Sequence, residues 1–475
     1  MGKEARTTRV LRPYQKEDAK FLVTKPAMAC FNEQRTGKTP TALATIKLRK
    51  LENEKVLIIA TASSLYQWAA EYERWVGKPC IVCDGTLAKR KKIIKENWTH
   101  GLVISLDSCK TTVVSKGVIE EILKAKPKYM ILDEAHRIKT PDSASAKSMF
   151  KLAKKIPNRL ALTGTPAPGK AYDVYSILYF LGITTDTDWQ FKHKYFDSEV
   201  HQIWDKIRKQ PRTYTEFTDF KKGMQEELQS ILVDYSTQRK RKDVMPWLPS
   251  KDYVRVPLTL APKQKRAINQ LHTEFRVGDL ETKNVLEALI RERQLCLHPA
   301  LVGVEGRSPK LDYIKQYISD YPDEPIIIFS TSTQFLKLLY NELKARTKLA
   351  MIIGTTPKKV RETYKQDFQA GRFNIFLINI QAGKEALTLD RAETAIFADK
   401  FPPIGDILQA EDRFVATTED KASKPHKIIE LMMTESYDEQ IYTLLEQRFT
   451  ETDVINDYNK YLKQKGVRYV TKSSI

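Results

Sequence analysis

The chain has 475 residues, enough for two or three domains each with its own core. Its 41% hydrophobic and 29% charged content describes a globular protein, and no uninterrupted apolar run approaches the ~20 residues that span a bilayer. A formal charge of +20, from 79 Lys+Arg against 59 Asp+Glu, is spread along the chain and points to a polyanionic partner met through phosphate contacts, nucleic acid first. Met1-Gly-Lys-Glu-Ala-Arg6 lacks the apolar stretch of a secretory signal, so a cytoplasmic location, bacterial or phage-infected rather than nuclear, is expected. The five cysteines form no even framework and are expected to be reduced thiols. Cys80-Ile-Val-Cys83 has metal-like spacing but lacks a second Cys or His pair, which favours a buried strand over zinc.

Leu11-Arg-Pro-Tyr-Gln15 opens an amphipathic helix, with Pro13 in the first turn where proline is tolerated. Ala27-Met-Ala-Cys-Phe31 is an apolar run that breaks into Asn-Glu-Gln-Arg-Thr-Gly-Lys-Thr39 and then a helical pattern. This is strand, phosphate-binding loop, helix. Gly37, Lys38 and Thr39 end a Walker A loop: backbone N–H groups and the helix N-terminus face phosphate, Lys38 neutralises the outer phosphates of ATP, and the Thr39 hydroxyl ligates Mg2+. Asn32 stands where that loop usually has its first glycine. Lys55–Ala60 is a second buried strand, followed by Thr61, Ser63 and Ser64, hydroxyls at a helix start that suit a phosphate.

Leu102-Val-Ile-Ser105 is a further strand, and Lys128-Tyr-Met-Ile-Leu132 is another that ends in Asp133-Glu-Ala-His136. Two adjacent carboxylates at the C-terminal edge of a parallel sheet lie where such sheets bind ligands. Asp133 can hold Mg2+, and Glu134 can orient and deprotonate a water. Leu160–Leu162 runs into Thr163-Gly-Thr165, whose hydroxyls could link the carboxylates to the nucleic-acid side. Strands alternating with helical patterns make residues 1–183 one parallel, helix-covered lobe.

From 184 to 250 aromatics interleave with Lys and Arg, which predicts a small helical insertion whose aromatics mostly form its own core. The stretch from Arg239 to Lys251 combines a basic run with prolines and reads as an interdomain connection. In the second lobe, 251–448, strands are expected at Pro325–Ser330, Leu349–Ile353 and Ile375–Ile378, with no Gly-Lys-Thr loop. Gln409, Asp412 and Arg413, at i, i+3 and i+4, share one helical face. Residues 449–475 read as a basic, weakly patterned tail.

Leu11–Gln15, Gly37–Thr39, Asp133–Asp142, Leu162–Pro166 and Gln409–Arg413 together resemble the Swi/Snf-type branch of superfamily 2 helicases and translocases, in a compact form similar to phage branch-migration DNA helicases. The resemblance implies an α/β fold of two RecA-like parallel-sheet lobes with a helical insertion between them, and an ATP- and Mg2+-dependent motor acting on DNA, branched or forked. It implies adenine contact by Gln15 and Arg12, and DNA-backbone contact by Thr61, Ser63, Ser64, Ser330, Gly354 and Thr388. Coupling of the two sites falls to His136, Thr163, Thr165 and Gly383, while Gln409 and Arg413 reach the γ-phosphate from lobe two. Lys384 and Ala386 replace expected glycines, and Ala416 stands where a second arginine is expected. A duplex translocase that displaces bound proteins, or a weakly hydrolysing ATP-dependent DNA clamp, would share these motifs.

Overall fold

The computed structural model describes residues 10–110, 117–167, 170–205, 210–247, 250–382, 389, 391–414, 425–447 and 451–464. Gly383, Lys384, Ala386, Thr388 and Ala416 lie outside them. The chain divides into two compact units, Met1–Pro246 and Trp247–Ile475. The division falls within the Arg239–Lys251 stretch.

In the first unit the strands are β1 (Ala27–Cys30), β2 (Val56–Ala60), β3 (Cys80–Cys83), β4 (Gly101–Ser105), β5 (Tyr129–Leu132) and β6 (Asn158–Leu162). Further on come the paired β7 (Phe196–Asp205) and β8 (Gln210–Phe220), and β9 (Ser236–Thr237). All but β7 and β8 form one parallel sheet in the order β3-β4-β2-β5-β6-β1-β9. Every residue of β1, β2, β4 and β5 is buried, as continuous apolar runs require when helices cover both faces. Along β2, Leu57 and Ile59 enter one hydrophobic cluster, whereas Val56, Ile58 and Ala60 enter the one on the opposite face. The cysteines Cys80 and Cys83 end the short β3, and burial pushes both thiols up to about 12.

Between residues 184 and 250 the chain is helical at Asp188–Tyr195 and Met224–Tyr235, with the antiparallel β7–β8 hairpin between them. The hairpin mixes polar residues with β-branched and aromatic ones, a composition that suits a ribbon. At its base Phe196 and Phe217 join Phe191, Tyr195 and Leu228 in a separate small core, while Trp189 stays exposed.

In the second unit, β10 (Lys251–Leu258) leads to a small hairpin, β11 (Arg276–Val277) and β12 (Leu280–Glu281). Then follow β13 (Ile326–Ser330), β14 (Leu349–Ile352), β15 (Ile375–Asn379), β16 (Thr394–Phe397) and β17 (His426–Met433). Its main sheet is again parallel, in the order β10-β17-β16-β13-β15-β14. Residues 451–464, read from sequence as part of a tail, form a helix that buries Val454, Tyr458 and Leu462 at i, i+4 and i+8. The Tyr458 hydroxyl donates to Glu292 Oε2 at 2.7 Å. Charged residues outnumber these anchors along the helix, so its periodicity is faint in the sequence. Among the described residues, no helix is long and apolar enough to cross a membrane.

Lys310 is wholly buried, donating to Asp438 Oδ2 and the Ala398 carbonyl, both at 2.7 Å. Removing one partner of such a pair strands the other charge in a low-dielectric interior. Lys310→Ala should therefore destabilise the second unit by about 3–5 kcal/mol, seen as a lowered urea midpoint. An unchanged midpoint would mean that the pair contributes nothing.

Candidate nucleotide site and nucleic-acid face

Strand order builds the site. In the first sheet β2, β5, β6 and β1 are successive neighbours, all parallel, so the loops leaving their C-terminal ends lie side by side. Those loops are 61–64 after β2, Asp133-Glu134 after β5, Thr163–Thr165 after β6 and the phosphate loop after β1. The crevice beyond the carboxyl ends of strands is where such sheets bind ligands.

The helix Lys38–Leu48 begins directly after Gly37, whose φ of 81° is left-handed. Glycine suits the position on two counts, since it adopts this φ without strain and a Cβ would lie 2.2 Å from Gln15 Nε2 and push that amide aside. Gln15 is buried; its Nε2 donates to the Thr36 carbonyl at 3.0 Å and its Oε1 accepts from Arg12 N at 2.9 Å. Tyr14 donates to the same carbonyl at 2.6 Å. The first helix therefore braces the phosphate loop. Lys38 Nζ donates to the carbonyls of Asn32 and Glu33, both at 3.1 Å, which holds the ammonium over the loop.

Asp133 N donates to the Ile59 carbonyl at 2.8 Å, so β5 delivers the carboxylate beside the end of β2. Its Oδ2 accepts from the indole N–H of Trp68 at 2.8 Å and its Oδ1 from Glu134 N at 3.0 Å. Burial, reinforced by the Glu134 carboxylate, raises the Asp133 carboxyl above its usual range against the opposing pull of Trp68 and Lys38. Glu134 itself has a left-handed backbone, φ 48° and ψ 50°. That conformation is unfavourable for a residue with a Cβ and is imposed by β5 on one side and the turn Ala135–Ile138 on the other.

His136 Nδ1 lies 3.0 Å from Thr163 Oγ1 and 3.3 Å from Glu134 Oε2. Burial pushes its pKa down to about 4, so the ring is neutral near pH 7. Thr163 Oγ1 also accepts from Thr165 N at 3.1 Å. A continuous polar path thus runs from Glu134 through His136 and Thr163 to Thr165. Thr61 Oγ1 lies 3.0 Å from Ser63 Oγ and 2.8 Å from Ser64 Oγ, a cluster of three hydroxyls at the start of the helix Leu65–Val76. Ser64 occupies the cap position, yet its hydroxyl bonds Thr61 instead of the helix.

In the second unit the helix Ile404–Glu411 carries Gln409 and closes before Arg413, which follows in a turn, its N–H donating to the Ala410 carbonyl at 3.0 Å. Both oxygens of Glu411 are engaged, Oε1 by Lys400 at 3.0 Å and Oε2 by Lys251 at 3.2 Å and Tyr253 at 2.8 Å. Gly354 is exposed with open space around it. Ser330 corrects the expectation of a DNA contact: it is fully buried at the end of β13, where its hydroxyl donates to Asp399 Oδ1 at 2.5 Å and accepts from Ser332 N at 3.0 Å. A hydroxyl enclosed in this way presents nothing to a phosphate.

Sequence reasoning missed Trp68 as a site residue. A tryptophan on the apolar face of a helix reads as core, and only the β2–β5 pairing brings its N–H to Asp133. The donor set suits Mg2+: Thr39 and Asp133 offer hard oxygens, and a desolvated carboxylate is a group that a cation stabilises.

The model of the SNF2-related domain matches residues 14–301, and that of the helicase conserved C-terminal domain matches residues 309–415. The Danio rerio chromodomain-helicase-DNA-binding protein 1-like is 24% identical over 95% of this chain and 44% of its own length. The Bos taurus DNA annealing helicase and endonuclease ZRANB3 is 23% identical over 85% of this chain and 37% of its own length. The chain thus spans less than half the length of these curated relatives. A Sulfolobus solfataricus SWI2/SNF2 ATPase core solved in complex with dsDNA is 21% identical, with 98% of both chains covered and a TM-score of 0.43. With the SNF2-related match covering well over half of the 475 residues, and the Walker and Asp-Glu-Ala-His loops on the two strands that flank β6 in its first RecA-like sheet, the chain belongs to the SNF2-related, Swi/Snf-type branch of superfamily 2.

Proposed function

We propose that the protein is a DNA-dependent ATPase that moves along DNA as a helicase or translocase and acts on branched or forked substrates. The observation that carries this reading is the placement of Gly37–Thr39, Asp133-Glu134 and the His136–Thr163–Thr165 path on neighbouring strand ends, in a chain of formal charge +20. The kinship with a protein named a DNA annealing helicase supports it.

In this reading Lys38 neutralises the outer phosphates, and Glu134 takes the proton of the water that attacks the γ-phosphorus. Thr39 and Asp133 would hold Mg2+, which supplies charge neutralisation on the phosphates. Arg12 and Gln15 lie beside the loop for the adenine end. The path from Glu134 to Thr165 connects hydrolysis to the DNA contacts of the first unit, where Thr61, Ser63 and Ser64 offer hydroxyls to the backbone; in the second unit exposed Gly354 leaves its main chain open to a phosphate. Gly383 and Thr388 are assigned to coupling and DNA contact by resemblance alone, and Gln409 and Arg413 are the second unit's contribution to turnover.

The test is ATP turnover and strand displacement in one buffer on single-stranded, blunt duplex, forked and four-way-junction DNA. Forked and junction DNA should stimulate most and release a strand. Affinity should fall steeply with salt, by about 10³ or more between 50 and 200 mM if six or more phosphates are contacted. Equal stimulation by linear duplex with no displaced strand would favour a duplex translocase instead.

A further inference from the structure

The stretch between the two units is bonded at each end to a different part of the proposed ATPase machinery. At its start, β9 pairs with β1 and the chain then runs beside the phosphate loop: Phe31 N donates to the Thr237 carbonyl at 2.8 Å, and Glu33 N to the Arg239 carbonyl at 3.0 Å. Arg241 N donates to Glu33 Oε2 at 2.7 Å. The Arg239 side chain reaches further, its Nε donating to Asp18 Oδ1 at 2.9 Å. Asp18 Oδ2 in turn accepts from Asn32 Nδ2 at 2.7 Å, and Asp18 and Asn32 are both buried. Among the described residues Asn32 Oδ1 is buried with no hydrogen-bond partner, so the Asp18 contact is what orients the amide. Asn32 is the first residue of the Walker loop, and its carbonyl holds Lys38.

At the other end, Lys251 Nζ donates to Glu411 Oε2 at 3.2 Å and to Asp412 Oδ1 at 3.0 Å. Tyr253, two residues on, donates to the same Glu411 oxygen at 2.8 Å. Burial alone would raise the Glu411 carboxyl, but Lys400 and Lys251 more than offset it and hold the group ionised. Glu411 and Asp412 lie between Gln409 and Arg413. The segment from Arg239 to Lys251 is therefore gripped at one end by the phosphate loop of the first unit, and at the other by the Gln409–Arg413 segment of the second.

We propose that Arg239 and Lys251 are positioning residues, Arg239 for the Walker loop through Asp18 and Asn32, and Lys251 for Gln409 and Arg413 through Glu411 and Asp412. The inference rests on the ATPase reading above. It assigns the two ends of one connector to different steps, nucleotide binding and turnover.

The experiment is steady-state ATP hydrolysis by the full chain at saturating forked DNA, with thermal melting of each variant. Arg239→Gln should raise KM for ATP about tenfold, the worth of a charge-assisted hydrogen bond, with kcat within about twofold of wild type. Lys251→Met should lower kcat about tenfold with KM for ATP little changed, and Lys251→Arg should restore most of it. A merely structural role would lower the melting temperature and leave this split absent. If Lys251→Met fails to fold, Tyr253→Phe replaces it: this variant removes one bond from Glu411 without stranding a charge, and kcat should fall about threefold. An unchanged kcat there overturns the Lys251 end. Lys38→Ala and Arg413→Ala run alongside. If they lose turnover while Arg239→Gln and Lys251→Met keep wild-type constants, the positioning inference is wrong and the ATPase reading stands. If Lys38→Ala and Arg413→Ala turn over like wild type, the ATPase reading fails and takes the inference with it.

Discussion

Glu134→Gln should bind ATP and fail to cleave it, with turnover at saturating DNA lowered by about 10²–10⁴-fold, the contribution of a positioned general base. The substitution preserves shape. The left-handed backbone at this position is set by the neighbouring strand and turn, and the bond from its N–H to Asp133 Oδ1 does not involve the side chain. What changes is the ability to take a proton, so the loss should fall on kcat and spare ATP affinity. Lys38→Ala is the complementary variant. Its ammonium is held over the loop by two carbonyls, and removing it should abolish turnover while DNA affinity stays largely intact, because counterion release depends on basic residues elsewhere. Turnover by rapid quench and nucleotide binding by fluorescent-analogue titration separate the two effects. Wild-type turnover in either variant removes the catalytic assignment.

Arg413→Ala should cost as much or more. An arginine that stabilises charge on the transferred phosphoryl group is worth about 10³–10⁵ in rate, and Ala416 occupies the place of the second arginine that the family pattern has. Arg413 would then carry the task alone. The turn that bears it is anchored through Glu411, a carboxylate already engaged by Lys400, Lys251 and Tyr253. A loss smaller than about tenfold, roughly 1.4 kcal/mol of barrier, would show that Arg413 does not act on the phosphoryl group. Ala416→Arg is the second arm. Little gain is expected from it, and a strong gain in an otherwise sluggish enzyme would favour the weakly hydrolysing clamp.

The chemistry of the first lobe was legible because its signals are contiguous. Gly37-Lys-Thr39 and Asp133-Glu134 are each a few adjacent residues beyond the end of a buried strand, and strands covered by helices on both faces must be unbroken apolar runs such as Val56–Ala60 and Tyr129–Leu132. The β7–β8 hairpin was read as helical, since aromatics among basic residues carry no strong period. The final helix was read as tail for a related reason, its buried face among the described residues being Val454, Tyr458 and Leu462 with Tyr461 beside them.

By itself, then, the sequence determined the class of fold and the family, and it singled out the groups proposed to handle phosphate and water, all of which are written in short local patterns. Tertiary structure alone decided how those groups are held. Trp68 meets Asp133 across 65 residues of chain, Arg239 meets Asp18 across 221, and Lys251 meets Glu411 across 160. Tertiary structure likewise removed Ser330 from the DNA face by enclosing it against Asp399. The reason is physical: such pairings follow from which strands become neighbours in a sheet. That order is set by the packing of helices on both faces, and no local run of residues encodes it.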